Sequence, residues 1–209
     1  MTRILQFLYP NKIASFLCLI FISLLFSTPI LFILDGINTD ILGLALFLFF
    51  FCVFLTIVFF TFRSHGIQLF EKELFKFRIN IKMILIVVGF QLFINVPFGY
   101  FLGKQTTNTY SCLLLFMMIG IAPILEEFIF RGVFLRALLS KYSNKKSILI
   151  SSIIFALVHV KPLQMPGALF LGIYFGYIFT KTKSFSTTAI LHIVANLSGV
   201  LGKQIFLLF

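Results

Sequence analysis

The sequence predicts an all-α fold, a polytopic bundle of about seven transmembrane helices with room for an eighth. Three observations carry this. Hydrophobic residues make up 60% of the 209-residue chain and mean hydropathy is +1.11, whereas soluble domains average about 45–50% apolar. Apolar runs of the roughly 20 residues needed to span a bilayer recur along the chain. The basic residues, which give a formal net charge of +11, fall mainly between those runs. There they orient a membrane protein rather than bind nucleic acid.

The first span is expected over 13–34. Arg3 and Lys12 precede it as in a signal peptide, but the run is too long and no small-residue cleavage pattern follows. An acidic loop, DGINTD, leads to the second span at 41–62. The next loop, 63–82, is basic, and its QLFEKELFKF stretch suits a short amphipathic helix on the membrane surface. The third span is expected over 83–103, with Pro97 near its end. The fourth runs over 112–139, and Pro123 in its interior should kink it. The fifth starts near Ser147, after the basic SKYSNKK loop, and reaches at least Val160. The sixth covers 167–180, where Ala168, Gly172 and Gly176 form a small-residue face for close helix contact. The seventh runs from about Thr187 to the C-terminus, interrupted by Gly199, Gly202 and Lys203; a short re-entrant eighth segment is the alternative there.

Lysine and arginine bias places the N-terminus and the loops at 63–82, 140–146 and 181–183 in the cytoplasm of the cell-membrane protein. Cys18, Cys52 and Cys112 lie in apolar spans, show no metal-type spacing and read as packing residues. No internal repeat or linker is visible, so residues 1–209 read as one membrane domain, with 1–110 as scaffold.

The fourth span contains the chemistry. Its charges are Glu126, Glu127, Arg131 and Arg136, and the chain has six acidic residues in all, so this pair is a third of them. A carboxylate at membrane depth costs several kcal/mol unless it is paired, hydrated or protonated. Glu127 and Arg131 are spaced i,i+4 and can pair on one helix face. Glu126 is rotated by about 100° from Glu127 and is free to face a cavity. His159 and His192 lie in the fifth and seventh spans, and Asn196 is one turn from His192. Two carboxylates and two histidines in one bundle point to a shared site. Phe155 stacks one turn before His159 and is expected to shape its wall. His65, in a basic loop, reads as solvated.

The motifs EEFIFR (126–131), FALVH (155–159) and HIVAN (192–196), in this order on successive membrane helices, resemble the CPBP family of intramembrane proteases. That family includes CAAX-type prenyl-protein endopeptidases and the Abi proteins of bacteriocin processing and self-immunity. The resemblance covers about 112–200, which would be the catalytic core. Separately, the richness in Phe, Ile, Lys and Asn suggests a bacterial membrane. The resemblance implies an endopeptidase that cleaves a small peptide or the tail of a membrane-associated protein. It implies Glu126 as general base, His159 as its partner on the water, and His192 and Asn196 as oxyanion donors, with Glu127, Arg131 and Phe155 in support. The family's metalloprotease label implies Zn²⁺ on Glu126, His159 and His192. The same groups suffice for metal-free hydrolysis, so zinc and no cofactor both stay open. A non-catalytic immunity or scaffold protein is the alternative, and a proton-coupled transporter a third reading.

Overall fold

The structure is a computed structural model and describes residues 71–102, 112–159 and 162–206. The chain divides into two compact units, Met1–Phe70 and Glu71–Phe209, and the account below concerns the second. The first two expected spans, the 35–40 and 104–111 loops, His65, Cys18 and Cys52 lie outside the described residues. Among the described residues all regular structure is helical. Among the described residues three helices are long and apolar enough to cross a membrane: Ile81–Leu102, Pro162–Thr182 and Phe185–Phe206.

Helix α1 is Ile81–Leu102. Asn80 caps it, its Oδ1 accepting the Met83 amide at 3.0 Å, a cap of the kind worth about 1 kcal/mol. Helix α2 covers 112–139 as consecutive α and π segments, with π turns at Met117–Ile121 and Phe128–Leu135. α1 has its own π turn, Gln91–Asn95. Pro97 and Pro123 each sit two residues past the end of a π turn. A proline deprives one carbonyl of its usual i−4 partner, and the wider turn re-registers the ladder just before it. The kink expected at Pro123 is therefore expressed as a π turn. Cys112, expected in the packing, is exposed at the first residue of α2.

Helix α3, Asn144–Leu157, is shorter than the fifth span read from sequence. It ends at Leu157, before His159. A 3-10 turn, Pro162–Gln164, leads into α4, Met165–Thr182. Lys183, at φ 56°, makes the left-handed turn into α5, Phe185–Phe206. Ser184 caps α5, its Oγ accepting the Thr187 amide at 3.1 Å. The expected interruption at Gly199, Gly202 and Lys203 does not occur; α5 runs through all three. Gly202 is the reason packing tolerates it: a β-carbon there would meet Leu92 Cδ2 at 2.8 Å and Val96 Cγ2 at 3.2 Å. The glycine lets α1 and α5 approach closely.

α3 and α4 pack antiparallel along the small-residue face. A β-carbon on Gly172 would lie 3.1 Å from Ser152 Cβ and 3.2 Å from its Cα, and one on Gly176 would lie 3.1 Å from Ile148. α1 and α5 run parallel. The Arg78 amide donates to Thr187 Oγ1 at 2.9 Å near their starts, and Gln91 lies beside Gly199 further along. One apolar cluster, Val87, Phe90, Leu171, Phe175, Ile178, Leu191 and Ala195, joins α1, α4 and α5.

From Glu71 on, the segment before α1 is a strap and not the surface helix expected from QLFEKELFKF, whose first three residues lie outside the described ones. It holds one 3-10 turn, Lys72–Phe75, followed by extended chain. Leu74 is buried against Leu135, Phe179, Phe185 and Ala189. Ser184 Oγ donates to the carbonyls of Leu74 and Lys76, and Arg136 pairs with Glu71. Burying one leucine outweighs the gain from exposing an amphipathic turn. Phe77 stays exposed.

Candidate active site

The buried stripe of α2 runs through Pro123, Glu127, Phe130, Arg131, Phe134 and Leu138. Glu127 therefore faces the bundle interior, and its neighbour Glu126 turns to the edge. Glu127 has no exposed side-chain surface, whereas the Glu126 side chain keeps 38%. This is the physical difference between the two carboxylates: one is enclosed and one is reachable.

Arg131 holds Glu127. Its Nη1 lies 2.9 Å from Glu127 Oε1, and Nη2 donates to the Gly172 carbonyl at 3.2 Å. The guanidinium rests 4.7 Å above the Phe155 ring centroid and 5.7 Å from that of Phe175, favourable cation–π positions. The 2.9 Å approach is off the hydrogen-bonding direction, so Nη1, Nε and Glu127 Oε2 are buried without a hydrogen bond. The pair is bound by charge more than by direction.

His192 on α5 bridges the two carboxylates. Its Nδ1 lies 3.2 Å from Glu127 Oε1 and its Nε2 3.9 Å from Glu126 Oε2. A carboxylate oxygen only accepts, so Nδ1 carries the hydrogen and Nε2 faces Glu126. The ring packs 5.4 Å from Phe175 and 5.8 Å from Phe155.

The remaining residues read from sequence fall further out. Asn196 lies one turn along α5 and donates from Nδ2 to the Met118 carbonyl at 2.8 Å. His159 sits past the end of α3, its Nδ1 2.8 Å from the Phe155 carbonyl and its ring 4.8 Å from the Phe155 ring. Phe155 thus touches both histidine rings. Among the described residues no group of three His, Cys, Asp or Glu stands in a metal-holding arrangement. The expected zinc set of Glu126, His159 and His192 is not gathered among the described residues, and the metalloprotease label is not supported.

The Rce1-like family, described as type II CAAX prenyl endopeptidase Rce1-like, matches residues 107–198. That segment of the chain is similar to the Rce1-like family. The match agrees with the resemblance to CPBP intramembrane proteases. The matched segment contains Glu126, Glu127, Arg131, Phe155, His159, His192 and Asn196. No curated protein and no solved structure matches the chain.

The sequence reading passed over Gln91 and Asn95, which lie outside the matched segment. Isolated amides in an apolar span carry no motif. Their signal was the four-residue spacing, which puts both on one face of α1. Phe175 was also missed, since one phenylalanine among 31 gives no sign of touching Arg131.

Proposed function

We propose that the chain is an intramembrane endopeptidase that hydrolyses a peptide bond in a small peptide or in the tail of a membrane-associated protein. The observation that carries this is the unequal carboxylate pair joined through His192. Glu126 is reachable, Glu127 is enclosed by Arg131, and both meet one imidazole. A site that sets two carboxylates in different surroundings suits acid–base chemistry.

In the proposed reaction Glu126 accepts a proton from water as the oxygen attacks the scissile carbonyl. The carbonyl oxygen gains the negative charge. Protonated His192 keeps its Nδ1 hydrogen on Glu127 and donates the Nε2 hydrogen to that oxyanion. Asn196 has two amide hydrogens; one goes to Met118 and the second serves the same oxygen. A fixed donor of this kind is worth about 10²–10³ in rate. When the carbon–nitrogen bond breaks, Glu126 returns its proton to the leaving amine, so one water is consumed and the site is restored. His159, with Nδ1 on the Phe155 carbonyl, has Nε2 left for the attacking water. Glu127, Arg131 and Phe155 position His192. We place the strapped end of the bundle in the cytoplasm, because the loops at that end carry the lysines and arginines.

The test is cleavage of a library of membrane-proximal peptides by the full-length protein in lipid nanodiscs, read by mass spectrometry. Wild type should release defined fragments and Glu126→Gln should not. Identical fragments from both proteins would remove the proposal.

A further inference from the structure

We propose that Gln91 and Asn95 form an amide subsite that hydrogen-bonds the backbone of an extended peptide, beginning one to two residues beyond the scissile carbonyl. This rests on the protease reading and adds a recognition element outside the segment matched by the family.

Two amides in the interior of an apolar span are costly unless satisfied. Gln91 is 4% exposed. Asn95 Nδ2 donates to Gln91 Oε1 at 2.6 Å, a bond within α1 itself. Gln91 Nε2 donates to none of the described groups. The bland explanation is that such amides glue helices together. Glue requires a bond to a facing helix, and neither amide makes one to α4 or α5. Both helices instead present glycines. A β-carbon on Gly199 of α5 would come 3.6 Å from Gln91 Nε2, and one on Gly167 of α4 would come 2.2 Å from Asn95 Oδ1. The amides thus face two backbones that carry no side chain against them. They also occupy the π turn of α1, a form of helix frequent at functional sites.

Register places the pair relative to the reaction. α1 and α5 run parallel, and Gln91 lies beside Gly199, three residues past Asn196. Three residues of helix advance about 4.5 Å. An extended peptide advances about 3.3 Å per residue. The Gln91 amide therefore meets the chain one to two residues from the carbonyl served by His192 and Asn196. Asn95 is a further turn along, about 6 Å, or two more residues. Amide donors and acceptors suit backbone groups and leave side-chain identity unread.

The experiment uses full-length protein in nanodiscs and a panel of fluorescein-labelled apolar octapeptides. The tightest binder is shortened one residue at a time from each end, and binding by anisotropy is measured beside cleavage. Gln91→Met should weaken binding of the long peptide about tenfold, the effect of one hydrogen bond. The loss should vanish once the residue facing Gln91 has been removed. Gly199→Ala, which keeps both amides and puts a methyl against Gln91, should give the same length-dependent loss and covers the case in which Gln91→Met fails to fold. An equal loss at every length, or none, overturns the subsite. Length-dependent binding without cleavage by wild type supports the subsite and sinks the protease reading; no binding by wild type overturns both.

Discussion

His192 and Glu127 meet through Nδ1 and Oε1 at 3.2 Å, so the hydrogen position on the histidine is fixed by a carboxylate with no exposed surface. The exposed partner, Glu126, faces the other nitrogen. Two adjacent residues on one helix thus act on opposite edges of one ring, and their substitutions should fail differently.

Glu126→Gln should leave the melting temperature near wild type and lower turnover by about 10²–10⁴, because the side chain is at the edge and carries the proton. Glu127→Gln should destabilise the fold by about 3–5 kcal/mol, the cost of leaving Arg131 buried without its counter-charge. Thermal melts and cleavage rates of both variants at matched lipid composition distinguish them. A stable Glu127→Gln protein would show that the ion pair does not hold the bundle.

Arg131→Met alone should be destabilised by a similar amount. The double variant Glu127→Leu with Arg131→Met should recover much of that stability, since apolar groups of similar volume often replace a buried pair at little cost. It should stay inactive, as His192 loses its anchor. Equal melting points for the single and double variants would count against this coupling.

Chelators should leave activity unchanged, and purified protein should carry no stoichiometric zinc. The basis is geometric: Glu126, His159 and His192 are not gathered as ligands. Zinc measured at one per chain, lost together with activity in His159→Ala, would contradict it.

Gly172→Val should break the α3–α4 contact. Even a β-carbon lies 3.2 Å from the Ser152 backbone, so a branched side chain forces the helices apart at a cost of about 1–3 kcal/mol or more. The Gly172 carbonyl also accepts from Arg131, so activity should fall with stability. A wild-type melt would show that the two helices yield freely.

A cysteine at Asn144, on a background without Cys18, Cys52 and Cys112, should resist impermeant thiol reagents in intact cells and react after lysis. Asn144 is exposed and begins α3 beside Lys145 and Lys146. Labelling from outside would reverse the orientation.

Much of the site's geometry could be read from spacing, because it depends on helical periodicity within short motifs. The four-residue spacing of Glu127 and Arg131 puts them on one face, and the single step to Glu126 turns it away. Distances between helices were not legible. Nothing in FALVH indicates that α3 ends at Leu157 and leaves His159 beyond it, against the Phe155 ring. Nor does HIVAN reveal that Asn196 reaches a backbone carbonyl at Met118, since a carbonyl has no sequence signature. The strap was misread for a related reason. Amphipathic spacing in QLFEKELFKF is real, but the apolar side found a protein partner through Leu74 instead of lipid. The π turns were equally invisible, since proline spacing announces strain without saying how the ladder absorbs it.

The strap at 71–78 fixes one end of the bundle. It is hydrogen-bonded to Ser184 and Thr187, paired with Arg136 and plugged by Leu74, so the starts of α1 and α5 and the end of α2 are fastened at one level. His192 and Asn196 lie progressively further from that level, and Gln91 further still. A rigid rod clamped at one end swings most at the other. Any spreading of the helices that admits a peptide would therefore be smallest beside His192 and largest beyond Asn95, giving the site a stiff reacting end and a compliant receiving end.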